Sequence, residues 1–359
     1  MNTIAPLFIP QQPALEQQLW AERHASQPTR LHCNESPFDL PLALKQQITA
    51  KMADLAWNRY PDFYNTQLTA LVAQHAQVQP ENVLLGNGSS QLIQQVVGGC
   101  AKFLSKVVIE SPTFTFYHQV CQNERMTQQE WALDLDGSYD LSTFPKVNEP
   151  ALVILTTPNN PMGTTLPQAH LETLLTENSH CIFLVDEAYA EFGDETVVSL
   201  TTQYPNLLVL KTLSKGYGLP CARFGYLVGN SELVKVLKNY SVPFTINVFT
   251  EVVVTELLTN AAVANALHIN RERIKNLRDF VFEQLDEMSG HGFTAKPSSS
   301  NFILLRFQDE VLFEQVKAAL LAFNILVSYP VASCLRLTIG SEVEMSRVLR
   351  LVRGCAATS

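Results

Sequence analysis

The 359-residue chain has no run of about eighteen or more apolar residues, so no helix long enough to span a membrane is expected. Its start, MNTIAPLFIPQQPALEQQLW, has no basic stretch ahead of an apolar one, so a secretory signal is not expected either. Positive charge is scarce: 25 Lys and Arg face 34 Asp and Glu, a net charge of −9. That deficit argues against a nucleic-acid or membrane-surface partner, because phosphate backbones and anionic lipids attract cationic surfaces. The seven cysteines are scattered, odd in number and without a CxxC pair, which fits reduced thiols in a cytoplasmic protein. Neither the phosphate loop GxxxxGK[ST] nor the dinucleotide fingerprint GxGxxG is present, which sets aside an ATPase and a nicotinamide site. Disorder is excluded as well, since 46% of residues are hydrophobic and only 16% charged.

At about 150 residues per domain, the length suggests two domains, or one large domain with an appendage. Short apolar runs at Val107–Glu110, Leu152–Thr156, Cys181–Val185, Leu207–Leu210 and Phe224–Val228 read as strands buried on both faces. Gln91–Phe103 and His170–Glu177 fit helices between them. The alternation predicts an α/β fold, a mostly parallel sheet flanked by helices. After Ser231 the texture changes. Val248–Asp286 reads as largely helical, with no Pro or Gly to stop it, and Gly290–Ser300 reads as a loop. Strands at Phe302–Phe307, Asn324–Ser328 and Leu335–Ile339 and helices at Glu310–Leu321 and Glu342–Val352 complete a smaller α+β part. The expected division is a large domain over residues 41–245 and a small one from residues 1–40 and 246–359. The first twenty residues, rich in Pro and Gln, are expected on the surface.

Four segments carry chemistry. In Thr212-Leu-Ser-Lys215-Gly-Tyr-Gly, a lysine follows a buried strand, where an open α/β sheet binds its ligand. Such a lysine is either a solvated loop residue or a desolvated nucleophilic amine suited to a Schiff base. In Val185-Asp186-Glu-Ala-Tyr189, a carboxylate ends a buried strand and can cap it, hold a metal or pair with a ring N–H. In Thr157-Pro-Asn159-Asn160-Pro-Met-Gly163, flanking prolines hold two amide side chains in a tight turn. In Gly86-Asn-Gly88-Ser89-Ser90, glycine and serine open a helix, which makes either an ordinary cap or a phosphate seat. Together these supply an amine, a carboxylate, an amide with a phenol, and a phosphate cradle completed by Arg223. Those groups suit pyridoxal 5'-phosphate, whose ring nitrogen must stay protonated to act as an electron sink. Asp186 is the candidate partner of that nitrogen, and Asn160 and Tyr189 are candidates for its phenolate oxygen. Arg223 offers a fork to the phosphate, and Tyr117 can stack on the ring.

These segments, with Arg30-Leu-His-Cys-Asn34, Asn58-Arg-Tyr60-Pro-Asp and Leu335-Arg336-Leu-Thr-Ile-Gly, occur in one order along nearly the whole chain. In that order the chain resembles the fold-type I, class I/II aminotransferases, most closely the histidinol-phosphate aminotransferase-like branch. The resemblance implies that Lys215 is the Schiff-base lysine and proton shuttle. It places Ser89, Ser90, Thr212, Ser214 and Arg223 at the phosphate. Tyr60 would reach the cofactor phosphate of a neighbouring subunit, so a homodimer is expected. Arg336 would grip a substrate anion, and Asn34 would belong to a segment closing over substrate.

The chain departs from the branch at two places. Ser90-Gln91 stands where an acidic pair is usual, a change that leaves backbone N–H donation intact. Ser328 stands where histidinol-phosphate aminotransferases and threonine-phosphate decarboxylases carry an arginine for the substrate phosphate, and serine lacks that charged fork. The expected function is transfer of an amino group between an amino acid, or an amino-alcohol phosphate such as histidinol phosphate, and a 2-oxo acid. A decarboxylase on the same scaffold and a non-catalytic pyridoxal-phosphate-binding protein are the alternatives.

Overall fold

The computed structural model describes residues 27–134, 136–193 and 195–357; the expected surface position of the first twenty residues lies outside them. In chain order the strands are β1 (Thr29–Arg30), β2 (Val83–Gly86), β3 (Lys106–Ser111), β4 (Thr127–Ala132), β5 (Leu152–Thr156) and β6 (Ile182–Asp186). There follow β7 (Leu207–Thr212), β8 (Gly225–Gly229), β9 (Phe293–Lys296), β10 (Phe302–Phe307), β11 (Ile325–Leu326) and β12 (Cys334–Thr338). The large sheet runs β2-β8-β7-β6-β5-β3-β4. Strands β3 to β7 pair in parallel; β8 is antiparallel to both β7 and β2, so it alone runs against the other six.

Continuous apolar runs make the central strands because both faces of the sheet are covered. Val153, Leu155, Phe183, Val185 and Val209 enter one core, and their neighbours Leu152, Ile154, Leu184, Leu208 and Leu210 enter the opposite one. Each large aliphatic side chain so buried contributes about 1.5–3 kcal/mol. The edge strands β2 and β4 go beyond the sequence expectation. In β4, TQQEWA, only Trp131 is buried, so the segment lacks the apolar run that marks a central strand.

A second core gathers Phe293, Phe302, Ile303, Leu305, Leu335 and Leu337 of the antiparallel sheet β12-β10-β9 with Met345 and Val348 of helix Glu342–Ala356. That helix opens with a capping box, Ser341 to Glu344. Strand β1 pairs in parallel with β11, which joins the segment after residue 27 to this part of the molecule.

One expectation is corrected and another is refined. Gly290–Ser300 is not all loop: β9 crosses it, with Phe293 and Ala295 facing the core and Thr294 and Lys296 facing out, a period-2 pattern too short to stand out in sequence. Val248–Asp286 is largely helical as expected, in two helices, Val248–Thr259 and Ala261–Asp286, bent by 84°. Asn260 breaks it by leaving helical angles and accepting from the Ala262 N–H at 3.0 Å, a helix start made without Pro or Gly. The longer helix carries Val263 and Leu267 into the core of the large sheet and Ile274, Val281 and Leu285 into the second core. Among the described residues no single helix is long and apolar enough to cross a membrane.

Candidate active site

Parallel strands bring their carboxyl ends to one edge, and the candidate residues follow those ends: Ser89 after β2, Tyr117 after β3, Asn160 after β5, Asp186 closing β6, and Lys215 after β7. Thr156 and Asp186 are register partners, so the turn carrying Asn160 leaves the sheet beside the carboxylate. Asp186 is 5% exposed. Its Oδ1 accepts from the Ala188 N–H at 2.8 Å and its Oδ2 from the Tyr117 hydroxyl at 2.6 Å. Burial outweighs both bonds and pushes its pKa up to about 6. The same burial, with Asp186 beside it, raises the Tyr117 phenol well above its ordinary value. Tyr117, expected against a ring face, here binds the carboxylate through its hydroxyl, while its ring meets Phe114 edge-on.

The Pro-Asn-Asn-Pro turn reaches across to the small sheet. Arg336 of β12 donates from Nη1 to Asn160 Oδ1 and from Nη2 to the His32 carbonyl at 2.7 Å, and it lies over the Phe302 ring. It is 9% exposed, its Nε has no partner, and burial lowers its pKa. A carboxylate approaching that edge would meet a buried, under-satisfied cation. Asn34, in left-handed backbone at φ 55°, donates from Nδ2 to the Tyr189 hydroxyl at 2.8 Å and accepts from Thr338 Oγ1 at 2.8 Å. Asn301 Nδ2 donates to its carbonyl at 3.0 Å. The chain near β1 is thus stitched to both Tyr189 and β12.

Lys215 Nζ donates to the Cys33 carbonyl at 2.7 Å and lies 6.0 Å from the Tyr189 ring centre. The phosphate candidates meet where β7, β8 and helix Ser89–Cys100 converge. Gly88 sits at φ 83°, and a Cβ there would come within 2.5 Å of Arg223 Nη2. A Cβ on Gly225 would come within 2.9 Å of the Ser89 nitrogen. The backbone therefore needs glycine at both positions to leave the helix's first N–H groups open beside the guanidinium. The Thr212 hydroxyl lies 3.1 Å from Ser214 Oγ and 3.2 Å from the Phe224 carbonyl. An open helix start with an arginine, an amine, a buried carboxylate and an under-satisfied arginine fit an aromatic aldehyde phosphate and an amino-acid carboxylate.

Of the residues expected at the site, Asn34, Tyr117, Asn160, Asp186, Tyr189, Lys215 and Arg336 are tied by these contacts. Ser89, Thr212, Ser214 and Arg223 lie where the helix start meets β7 and β8, and Ser90 is the second residue of that helix. Tyr60 is not brought to either: it is 81% exposed and stacks on Phe244 at 4.6 Å. Two polar clusters escaped sequence reading. Glu110, next to last in β3, is fully buried among Thr113, Tyr139, Thr156 and Asn159. Lys211 pairs with Glu187 at 3.0 Å and Glu191 at 2.9 Å, all three buried beneath the Lys215 loop. The available signal for Glu110 was the one used for Asp186, a carboxylate ending a buried run.

Comparison with known proteins identifies the family and the fold. The sequence pattern of aminotransferase class I and II matches residues 26–352. A histidinol-phosphate aminotransferase of Chlorobaculum tepidum is 31% identical over 332 residues, covering 90% of this chain and 93% of that protein. The structure of histidinol-phosphate aminotransferase from Sinorhizobium meliloti in complex with pyridoxal-5'-phosphate superposes with a TM-score of 0.82 at 20% identity, covering 98% of this chain and 99% of that one. L-threonine-O-3-phosphate decarboxylase from Porphyromonas gingivalis shares the fold with a TM-score of 0.77 at 20% identity, covering 91% and 98%.

Proposed function

The chain belongs to the class I and II aminotransferases, which work with pyridoxal 5'-phosphate, and from that premise we propose how its residues divide the work. Bound there, the cofactor draws electrons from the carbon beside the transferred nitrogen while its ring nitrogen is protonated. Lys215 supplies the amine that anchors the cofactor's aldehyde carbon and then moves the proton at the substrate's α-carbon. Asp186 faces the ring nitrogen; the N–H there restores the charge that burial opposes. Asn160 and Tyr189 hydrogen-bond the ring's phenolate oxygen. Ser89, Ser90, Thr212, Ser214 and Arg223 hold the phosphate. Arg336 takes the substrate carboxylate, and Asn34 fixes Tyr189 and closes the segment over it. The observation carrying this reading is the convergence of Lys215, Asp186 and Asn160 at one edge of the large sheet, where Arg336 of the small sheet meets Asn160.

The amino donor is an amino acid, or an amino-alcohol phosphate such as histidinol phosphate, and the acceptor a 2-oxo acid, exchanged in ping-pong order. Ser328 bridges Arg336 across the small sheet, with mutual backbone hydrogen bonds at 2.8 and 3.2 Å, so a neutral hydroxyl stands beside the anion-binding arginine. Phosphorylated donors should therefore hold little advantage over unphosphorylated ones in a competition assay. The enzyme works as a homodimer in the reducing cytoplasm, where Cys100, Cys121, Cys181 and Cys334 stay buried without disulfides. A donor and 2-oxo acid panel tests the reading: conversion of the bound cofactor to its amine form, without carbon dioxide release and abolished by Lys215→Ala, is expected. Carbon dioxide release would favour the decarboxylase.

A further inference from the structure

Glu110 lies outside the set that touches cofactor or substrate, yet one carboxyl group there joins two site-bearing loops. Its Oε1 accepts from the Thr156 N–H at 2.8 Å, from Asn159 Nδ2 at 2.8 Å, from Thr113 Oγ1 at 3.3 Å and from the Thr156 hydroxyl. Its Oε2 meets the Tyr139 hydroxyl at 3.0 Å. The Thr113 loop leads into Tyr117, which holds Asp186. Asn159 immediately precedes Asn160, and every polar atom of Asn159 is engaged. Its Oδ1 accepts from the Met162 N–H at 3.0 Å and its Nδ2 also donates to the Pro112 carbonyl at 3.1 Å. Its backbone N–H donates to the Thr164 carbonyl at 2.7 Å and its carbonyl accepts from the Gly163 N–H at 2.8 Å. Asn159 therefore cannot rotate without breaking buried bonds, and the direction of Asn160 follows from it.

We propose that Glu110 is a positioning residue for the reaction: through Asn159 it aims the Asn160 amide at the cofactor's phenolate oxygen and at Arg336. The inference rests on the role given above to Asn160. The donor count favours a carboxyl that gives as well as receives. Tyr139 has one proton and two acceptors, the Thr156 carbonyl at 2.7 Å and Glu110 Oε2. Glutamine at 110 can satisfy the same partners, accepting through Oε1 and donating to the Tyr139 oxygen through Nε2; alanine leaves the Thr156 N–H unsatisfied in the core and takes from Asn159 Nδ2 the acceptor that ties it to β3, leaving it the Pro112 carbonyl.

The test is a pH titration of the visible absorbance of holoenzyme, which reports the protonation of the Lys215–cofactor linkage, on Glu110→Ala, Glu110→Gln, Asn159→Ser and Asn160→Ala. Losing a hydrogen bond to the phenolate oxygen raises the midpoint, so Asn160→Ala sets the full upward shift. Glu110→Ala and Asn159→Ser should each give roughly half of it or more, their double variant no more than the larger single shift, and Glu110→Gln should restore the wild-type midpoint. Should Glu110→Ala not fold, Asn159→Ser decides, because it cuts the same link at its other end. A shift with Asn160→Ala and none with Glu110→Ala or Asn159→Ser overturns the role of Glu110 and leaves the site intact. No shift with Asn160→Ala overturns both.

Discussion

Asp186 and Glu110 each put a buried carboxyl at the carboxyl end of a parallel strand, Asp186 as its last residue and Glu110 as the one before last, and burial raises both, to about 6 and about 7. Their partners differ. Asp186 receives two donors and turns an edge toward the site, so its charge awaits a cationic N–H, whereas Glu110 is closed in by protein on both oxygens. Asp186→Asn keeps the shape and removes the charge; kcat should fall by about 10²-fold or more, the order lost with one preorganised electrostatic partner. Steady-state assays of the holoenzyme check this, and unchanged kinetics would give the ring nitrogen another partner. Both carboxyls bind protons more tightly folded than unfolded, so their contribution to stability is full below about 4 and fades as pH rises through 6 to 7. For Glu110 the span from 4.5 to about 7 amounts to roughly 3 kcal/mol. Cofactor-free Glu110→Gln should therefore lose on the order of 3 kcal/mol less stability than wild type between pH 4.5 and 7.5. Urea unfolding at the two pH values measures the difference, and parallel curves would show that Glu110 is ionised throughout.

Elements meet at the site through a second buried cluster. Lys211 is next to last in β7, Glu187 follows β6 and Glu191 lies in the turn after Tyr189, so this triad clips together the segments carrying Lys215, Asp186 and Tyr189. Glu187 is further held by the Val197 N–H at 2.6 Å and the Thr196 hydroxyl at 2.5 Å. Removing the lysine alone strands two buried carboxylates, so Lys211→Met should cost about 3–5 kcal/mol, while Lys211→Met with Glu187→Leu and Glu191→Leu should recover most of it. Equilibrium denaturation of both variants decides; an equal loss in the triple variant would locate the cost in packing. Such clusters join residues from separate strands, and their pairing exists only after folding, which is why the sequence shows the residues and not the contacts. The central strands were legible because burial on both faces demands unbroken apolar runs. At β4, one buried side chain in six positions leaves a polar run, and at β9 the alternation lasts four residues. The loops bearing Lys215, Asn160 and Ser89 were legible because Gly, Pro, Ser and Asn mark a turn at each strand's carboxyl end, and Asp186 because a carboxylate ends its apolar run. The Tyr117–Asp186 bond was not, since a tyrosine reads equally as a stacking ring.

At the scale of the molecule, the surface carries an aromatic patch that this chain alone leaves uncovered. Trp57, Tyr60, Phe63 and Tyr64 are 69%, 81%, 49% and 79% exposed; Tyr60, Phe63 and Tyr64 gather with Phe244, and Trp57 meets Phe249, through ring contacts of 4.6 to 5.2 Å. Exposed apolar clusters of this kind suit a protein interface, and in the homodimer proposed above a second copy of the chain would cover it and carry Tyr60 toward a neighbour's phosphate cradle. Sedimentation should give the mass of a dimer, and Trp57→Glu with Phe63→Glu should give a monomer with little activity. Sharing of sites is tested by mixing two impaired variants. Lys215→Ala lacks the amine and Tyr60→Ala lacks the reaching phenol. After unfolding and refolding together, about half the dimers are mixed, and each mixed dimer has one site carrying both defects and one carrying neither. Activity should return to roughly a quarter of the wild-type value in the equimolar mixture. If Tyr60 served the site of its own chain, every site in the mixture would keep one defect, and no activity above the sum of the parents would appear.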